Sequence, residues 1–594
     1  MRALDFVTWA ELYPRAVKIA PSLRKLDAPP GGVGLMAAAL AAPGALDPTP
    51  KTVDVVLHRN ADPKKAAKRI AEAAHLKPEE IEVAGKKIRL VVKTRRLADL
   101  AALDEIRHIE EVLPRKLHNT VARQLMRVPS GSTSSGAEGK GEIVAVADTG
   151  FDKGSTTDVH PAFTGRVKKL YGLGRPNRKD DPHGHGTHVA GSVLGDGKST
   201  ADGPVRGTAP AAKLVLQSLL DSGGGLGGLP ANLNDLFRNP YQRDKARIHT
   251  NSWGSTGNFG VYDQQAFEVD EFVQDHRDIL ICFAAGNEGA DSDANGLIDP
   301  DSVTPPGTAK NCLTVGACEN NRPTKTLTYG QGFGYPAEPI RSDRVANNPD
   351  GIVAFSSRGP TRDGRIKPDV VAPGTFVLST RSRATSSEGW ELSADPLFMF
   401  DGGTSMATPL VAGSSAVVRA FLGTSHKILK PSAALLKALI INCAHDLGGQ
   451  YIPSEAAEIP NSNEGFGRVD LQAVVGPYAP NEQLFFWDEN KALDTGEKKD
   501  QIVTVPADAS VLKATLVWTD PPGEGLQSDL DLIVAAGQKE RHGNMPATSA
   551  SFDRKNNVEQ VVWTNIPAGA IAISVVAHRV TLATQTFALV VRVA

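Results

Sequence analysis

Ile143-Val144-Ala145-Val146-Ala147-Asp148-Thr149-Gly150 is an unbroken apolar run that stops on a carboxylate and a turn. A run without alternation marks a strand buried on both faces, and such strands belong to parallel sheets covered by helices. Similar runs recur at 213–217, 248–251, 279–284 and 312–315, with helical stretches between several of them, among them 186–194 and 262–275. The expected fold from Gly141 onward is α/β, a doubly wound parallel sheet. In such sheets sites form at the carboxyl ends of the strands.

On either side the pattern changes. Residues 1–50 are rich in Pro and Ala, with one helical candidate at 6–20 and no legible role. From Thr52 the order is strand (53–58), helix (63–74), two strands (81–94), helix (96–107) and strand (108–113), a split βαβ, ferredoxin-like unit. After about Pro477 helical periodicity disappears. Short β-rich runs follow at 501–505, 511–518, 530–535, 558–563, 570–577 and 587–593, which reads as an antiparallel β-sandwich of jelly-roll type. The expected segments are 1–50, 51–118, 119–477 and 478–594.

At 594 residues the chain is too long for one ordinary core. With 22% charged residues and a formal net charge of -2, nothing points to nucleic acid. Residues 1–118 carry 21 Lys and Arg against 15 Asp and Glu, so the acidic surplus lies in the remainder, and opposite signs favour docking of the two parts. No uninterrupted apolar segment reaches bilayer length, so no membrane partner is expected, and the chain is expected to be a monomer. Met1-Arg2-Ala3-Leu4-Asp5-Phe6 lacks the basic start and apolar run of a signal peptide. The expectation is an intracellular chain, or one whose leader has been removed. Cys282, Cys312, Cys318 and Cys443 have no metal-site spacing and read as buried structural thiols.

Three segments carry the chemistry. The first ends in Asp148-Thr149-Gly150. The second is His183-Gly184-His185-Gly186-Thr187-His188, and the third is Gly402-Gly403-Thr404-Ser405-Met406-Ala407-Thr408-Pro409. The third reads as a tight turn feeding a helix, with Ser405 near its N-terminus. There unpaired N–H groups and partial positive charge favour an oxyanion. A serine hydroxyl needs a neighbouring base, and an imidazole supplies one when a carboxylate fixes its tautomer. Bland readings stand beside these: Ser405 as an N-cap, Asp148 as a loop cap, and His183 or His188 in place of His185.

Together with Ala284-Ala285-Gly286-Asn287-Glu288-Gly289, Phe355-Ser356-Ser357-Arg358-Gly359-Pro360 and Lys367-Pro368-Asp369-Val370, these segments resemble the subtilases, the subtilisin-like serine proteases, over roughly 141–470. The β-rich tail resembles the alkaline subtilases that carry a C-terminal β-sandwich, and residues 52–113 resemble the family's inhibitory propeptide. The resemblance implies an endopeptidase acting on protein or peptide substrates, with Ser405 as nucleophile, His185 as general base, Asp148 as its orienting carboxylate and Asn287 as a side-chain donor to the oxyanion. Ser252, Trp253 and Gly254, with Ala284, Ala285 and Gly286, resemble the walls of the first specificity pocket. The Gly-rich stretch 221–228 resembles the strand that pairs with extended substrate. The resemblance also implies secretion, and a precursor held by its own propeptide that cleaves itself near 117–119. Met406, beside the serine, is an expected oxidation-sensitive residue.

The stretch 291–302 follows the calcium-loop pattern, with oxygen donors at Asp291, Asp293, Asn295, Leu297 (through its carbonyl) and Asp299, and glycine at the sharp turn. It departs at the twelfth position, where Ser302 stands instead of glutamate beside Asp301. Asp529 and Asp531, with 553–559, resemble calcium-binding segments of related β-sandwiches, and equally read as acidic turns. Calcium is expected as a structural ion, with no catalytic cofactor. The competing readings are a silent binding protein that works through its β-sandwich, and a dedicated intracellular processing protease.

Overall fold

The structure, a computed structural model, describes residues 18–19, 23, 50–58, 60–84, 86–111, 120–129, 138–175, 177–448, 458–582 and 584–594. It divides into two compact units, Met1–Lys116 and Leu117–Ala594. Most of the helical candidate at 6–20, and the expected processing site at 117–119, lie outside the described residues.

The first unit runs β1 (Pro50–Leu57), α1 (Pro63–Ala74), β2 (Ile81–Ala84), β3 (Lys87–Lys93), α2 (Leu97–Ala101) and β4 (Ile106–Glu111), with sheet order β2-β3-β1-β4. This is the split βαβ arrangement. Helix α1 starts where Asp62 accepts from the amide of Lys64 at 2.9 Å and Pro63 takes the first turn, and it buries Ala66, Ala67, Ile70, Ala71 and Ala74. Helix α2 stops at Ala101 instead of reaching Arg107. The chain must turn there so that Ile106 can pair with Leu57 and the carbonyl of Glu105 can accept from His58.

The second unit opens with α3 (Thr120–Leu125) and continues β5 (Ile143–Asp148), β6 (Val167–Gly172), α4 (His185–Leu194), the hairpin β7 (Asp196–Ser199) and β8 (Gly203–Arg206), and β9 (Lys213–Ser218). Next come α5 (Asn234–Gln242), β10 (Ile248–Asn251), α6 (Gln264–Asp275), β11 (Leu280–Ala284), β12 (Leu313–Cys318), α7 (Tyr329–Phe333) and β13 (Val370–Pro373). The large sheet has the order β13-β12-β11-β10-β5-β9-β6, and every pairing in it is parallel. The chain fills the β9–β6 side first and then crosses β5 to build the other side. A crevice therefore opens at the carboxyl end of β5.

A small sheet of β14 (Val377–Thr380), β15 (Glu391–Leu392) and β16 (Phe398–Asp401) leads into α8 (Thr404–Ser425), followed by α9 (Ala433–Asn442) and α10 (Gln472–Val475). Helix α8 corrects the expectation about membrane-length segments. By length and composition it could cross a bilayer, and 89% of its apolar window is buried inside the protein. It packs on α4 and on β10, β11, β12 and β13, as the central helix of the α/β core. The four cysteines are free and buried.

The tail forms β17 (Gln483–Leu493), β18 (Lys498–Val505), β19 (Val511–Val517), β20 (Asp529–Ala536), β21 (Lys539–His542), β22 (Val558–Thr564), β23 (Gly569–Arg579) and β24 (Gln585–Val593). Two antiparallel sheets, β17-β24-β19-β22 and β18-β23-β20-β21, enclose one apolar core around Trp518, Leu532, Ile573 and Leu589. Their alternation of strands between sheets is the jelly roll.

The jelly roll is joined to the α/β part through buried polar groups. Lys310 Nζ meets Asp520 Oδ2 at 2.6 Å, both side chains being fully buried, and donates also to the carbonyls of Pro521 and Gly525. Asn442 on α9 donates to the carbonyls of Lys513 and Val590. Removing one partner of a buried pair leaves the other charge uncompensated. Asp520→Ala is expected to cost about 3–5 kcal/mol, read as a lowered denaturant midpoint. A midpoint shift worth under about 1 kcal/mol, the usual worth of an exposed pair, would show that this junction does not carry the interface.

Candidate functional site

Asp148 ends β5, in register with Ser218 on β9, and its carbonyl accepts from the Leu219 amide at 2.7 Å. Its Oδ1 accepts from the Thr149 amide at 2.8 Å and lies 2.7 Å from His185 Nδ1. Its Oδ2 is buried without a partner among the described residues. His185 opens α4 after Gly184, whose φ of +96° suits glycine.

Asp181 ties these two pieces together, although nothing in the sequence pattern singled it out. It is fully buried. Its Oδ1 accepts from Thr149 Oγ1 at 2.8 Å and the Gly184 amide at 2.9 Å, while Oδ2 accepts from the amide and hydroxyl of Thr187. A carboxylate just ahead of a helix start is the available sequence signal.

The three histidines separate by geometry. His183 is exposed and lies edge-on to His185, with ring centroids 6.1 Å apart. His188 is buried, with Nε2 on the carbonyls of Val377 and Met399, and burial holds it below the ordinary imidazole range. His185 alone of the three reaches Asp148, with 21% of its side chain exposed. Burial pulls its pKa down. The charge and hydrogen bond of Asp148, helped by the charges of Asp401 and Asp181, outweigh that and push it up to about 9.

Ser405 is the second residue of α8. The turn before it requires both glycines: Gly403 has φ +133°, and a Cβ at Gly402 would lie 2.0 Å from the Trp390 ring. The Ser405 hydroxyl donates to the Ser252 carbonyl at 3.1 Å, and Ser252 Oγ donates back to the Ser405 carbonyl at 3.0 Å. Among the described residues no hydrogen bond joins Ser405 to His185. Asn287 is exposed, and its Oδ1 accepts from the amide and hydroxyl of Thr404 at 2.8 and 3.0 Å. That anchoring leaves its Nδ2 as the presented donor. Thr404, like Asp181, thus belongs to the candidate site by its hydrogen bonds, although the sequence reading gave it no role.

The parallel pairing of Asn251 with Phe283 brings the strand ends 252–254 and 284–286 side by side. Both lean on Thr304: it donates to the Ala285 carbonyl, and a Cβ on Gly254 would lie 2.2 Å from its Oγ1. Trp253 is drawn toward the sheet, donating to the Ala147 carbonyl at 3.1 Å and standing edge-on to Phe283. The stretch 221–228 is not a strand. It forms turns gathered around the Asp221 carboxylate.

In the 291–301 loop, Asp291 accepts from the amides of Asn295 and Gly296, Asp293 from Asn295, and Asp299 from the Ser292 amide. Asn295 Oδ1 accepts from the Leu297 amide, and Asp301 adopts a φ of +62°. Among the described residues no three His, Cys, Asp or Glu side chains form a cluster fit to hold a metal ion. Asp529 and Asp531 both pair with Arg554, whose guanidinium stands where the sequence pattern suggested calcium. With that cation in place, these two carboxylates do not fit a metal ion.

The family model described as the subtilase family matches residues 139–467. The serine protease/ABC transporter B family protein tagD of Dictyostelium discoideum is 26% identical over 555 residues, which cover 72% of this chain and 30% of that protein. The chain thus spans under a third of that relative's length. Serine protease AprX of Bacillus subtilis is 30% identical over 329 residues, covering 52% of this chain and 63% of AprX. Among solved structures, fervidolysin from Fervidobacterium pennivorans has 19% identity and a TM-score of 0.42, covering 87% of this chain and 69% of its own.

The electrostatics of the pair can be tested directly. The His185 imidazole is expected to titrate near 9 by NMR, and Asp148→Asn to drop it below about 6.5, because burial then acts largely unopposed. Titration of the unmodified protein in the ordinary range would refute this account of the pair.

Proposed function

The chain belongs to the subtilase family, and from that premise we propose that it cleaves peptide bonds in protein substrates, with Ser405 as nucleophile, His185 as general base and Asp148 as the carboxylate that orients it. The observation that carries the reading is the 2.7 Å bond between Asp148 Oδ1 and His185 Nδ1 at the mouth of the sheet crevice. This bond leaves Nε2 for the serine proton. On substrate binding the Ser405 hydroxyl exchanges the Ser252 carbonyl for His185 Nε2 and attacks the scissile carbonyl. His185 takes the proton and gives it to the leaving amine. Asn287 Nδ2 and the Ser405 amide, at the positive end of α8, stabilise the oxyanion. Water then hydrolyses the acyl-enzyme by the same base. With His185 raised to about 9, the neutral base gains population only toward alkaline pH.

In this reading Ser252, Gly254 and Ala284 to Gly286 line the pocket for the residue before the scissile bond. Residues 51–118 act as an intramolecular inhibitor, 119–477 as the catalytic part and 478–594 as a stabilising domain. The carboxylates of the 291–301 loop are hard donors suited to calcium that now accept from the loop's own amides, and we extend the proposal to a structural ion that would draw them together there. Asp529 and Asp531 are excluded from it.

Two experiments test these points. Intact mass and N-terminal sequence are compared for wild type and Ser405→Ala. Wild type is expected to begin near Asn119 and the variant to keep Met1, whereas two uncleaved chains would oppose self-processing. Chelation is expected to lower both the melting temperature and turnover. If neither changes, the loop holds no structural calcium.

A further inference from the structure

The segment Phe355-Ser356-Ser357-Arg358-Gly359-Pro360 supplies none of the reacting groups, yet it grips the backbone around Asn287. Ser357 is fully buried. Its amide donates to the Gly286 carbonyl at 3.0 Å, and its Oγ accepts from the Glu288 amide at 3.1 Å. Those two groups belong to the peptide planes on either side of the Asn287 Cα, so one residue fixes both planes and with them the φ and ψ of Asn287. A Cβ at Gly286, whose φ is +111°, would lie 2.7 Å from Ser357 Oγ, so glycine there is what lets the two segments close up. One step on, the Gly289 amide donates to the Phe355 carbonyl at 2.9 Å, and the Tyr335 hydroxyl donates to the Gly289 carbonyl at 2.6 Å.

The clamp is itself held. Arg358 is fully buried and donates from Nη1 to the carbonyls of Ser356 at 2.8 Å and Val353 at 3.2 Å. Its amide donates to Ser302 Oγ and its carbonyl accepts from the Ser302 amide, both at 2.8 Å. Ser356 Oγ accepts from the amide of Ala317 on β12 at 3.0 Å, which ties the segment to the large sheet. At the other end of Asn287, Thr404 holds Oδ1. The side chain is thus anchored at its tip by the helix that carries Ser405 and at its root by Ser357.

We propose that Ser357 is a positioning residue for the oxyanion: by fixing the peptide planes around Asn287 it sets where Nδ2 points, without touching substrate itself. The inference rests on the serine peptidase reading. Its physical content is that an oxyanion donor is effective when it is aimed beforehand at the place where charge develops. With the root of Asn287 loosened, the reorientation of Nδ2 falls on the step that forms the tetrahedral intermediate. The loss therefore appears in kcat, while binding of the uncharged substrate carbonyl changes little.

The test is a double-mutant cycle of wild type, Ser357→Ala, Asn287→Ala and the double variant on a peptide amide, with fluorophosphonate labelling of wild type and a thermal melt of every variant. Ser357→Ala leaves the Glu288 amide without its acceptor and is expected to lower kcat roughly tenfold with KM within about twofold. It is also expected to weaken binding of a peptide aldehyde, whose hemiacetal with Ser405 places an oxygen where the oxyanion forms. In the Asn287→Ala background the same change is expected to lower kcat by under about twofold, because no donor remains to be aimed. Equal losses in both backgrounds mark a general structural defect and overturn the proposal. A folded Ser357→Ala enzyme with unchanged kcat overturns it too, as does an Asn287→Ala enzyme with the kcat of wild type, and in both cases the peptidase reading stands. Should the alanine variant not melt cooperatively, Ser357→Cys, with a weaker acceptor in nearly the same space, takes its place in the cycle and is read by the same outcomes. If wild type neither labels nor cleaves the peptide, the peptidase reading fails and the inference with it.

Discussion

The parallel register around β5 is the constraint on which the rest of the site depends. Ala147 pairs with Asn251 and Asp148 with Ser218, while Asn251 pairs with Phe283, so neighbouring strands end at one level. A slip of one residue would turn every side chain to the opposite face and carry Asp148 away from His185. The register also fixes where the chain emerges from each strand. Leu219 bonds the Asp148 carbonyl, Trp253 bonds the Ala147 carbonyl, and Ala284 leads directly into Asn287. A buried parallel sheet can hold such a register because helices cover both faces, and α8 does this at its centre.

Onto this frame the polar groups are fixed by carboxylates and hydroxyls that do not themselves face the crevice. Asp181 gathers four donors and so locks the end of β5 to the start of α4. Thr404 orients Asn287 from the first turn of the helix that carries Ser405. At the far side, Lys437 on α9 meets Asp369 at 2.9 Å, and Lys310 meets Asp520, so buried charges are paired where the jelly roll joins the α/β part. Buried charge is tolerated in each place because several acceptors or donors converge on it.

Much of the fold was legible because its signals are local. The apolar runs of β5 and β11 and the periodic stretch of α6 stand out by composition alone, as does α1 with Asp62-Pro63 at its head. Several of the strands that escaped have a diluted pattern, although β16, which reads Phe-Met-Phe-Asp, escaped as well. β6 reads Val-Lys-Lys-Leu-Tyr-Gly at a sheet edge, β13 is four residues long and ends in proline, and β21 is the polar edge Lys-Glu-Arg-His. Edge strands need fewer apolar residues, so they carry a weaker signature. The glycine stretch 221–228 resembled an extended edge because glycine carries no periodicity, and only the approach of Asp221 reveals the turns.

The order of residues alone dictated the kinds of groups available and their succession: a carboxylate at a strand end, histidines at a helix start, a serine after two glycines, and an asparagine after a buried strand. These are set by neighbours a few residues away, through capping, turn chemistry and hydrophobic period. Which groups meet was settled by tertiary packing. It selected His185 over His183 and His188, put Arg554 between Asp529 and Asp531, engaged the Ser405 hydroxyl with the Ser252 carbonyl and brought Asp520 to Lys310. Those contacts join residues that lie tens to hundreds of positions apart. Their energy depends on distance and burial in space, and neither is written in the order of the chain.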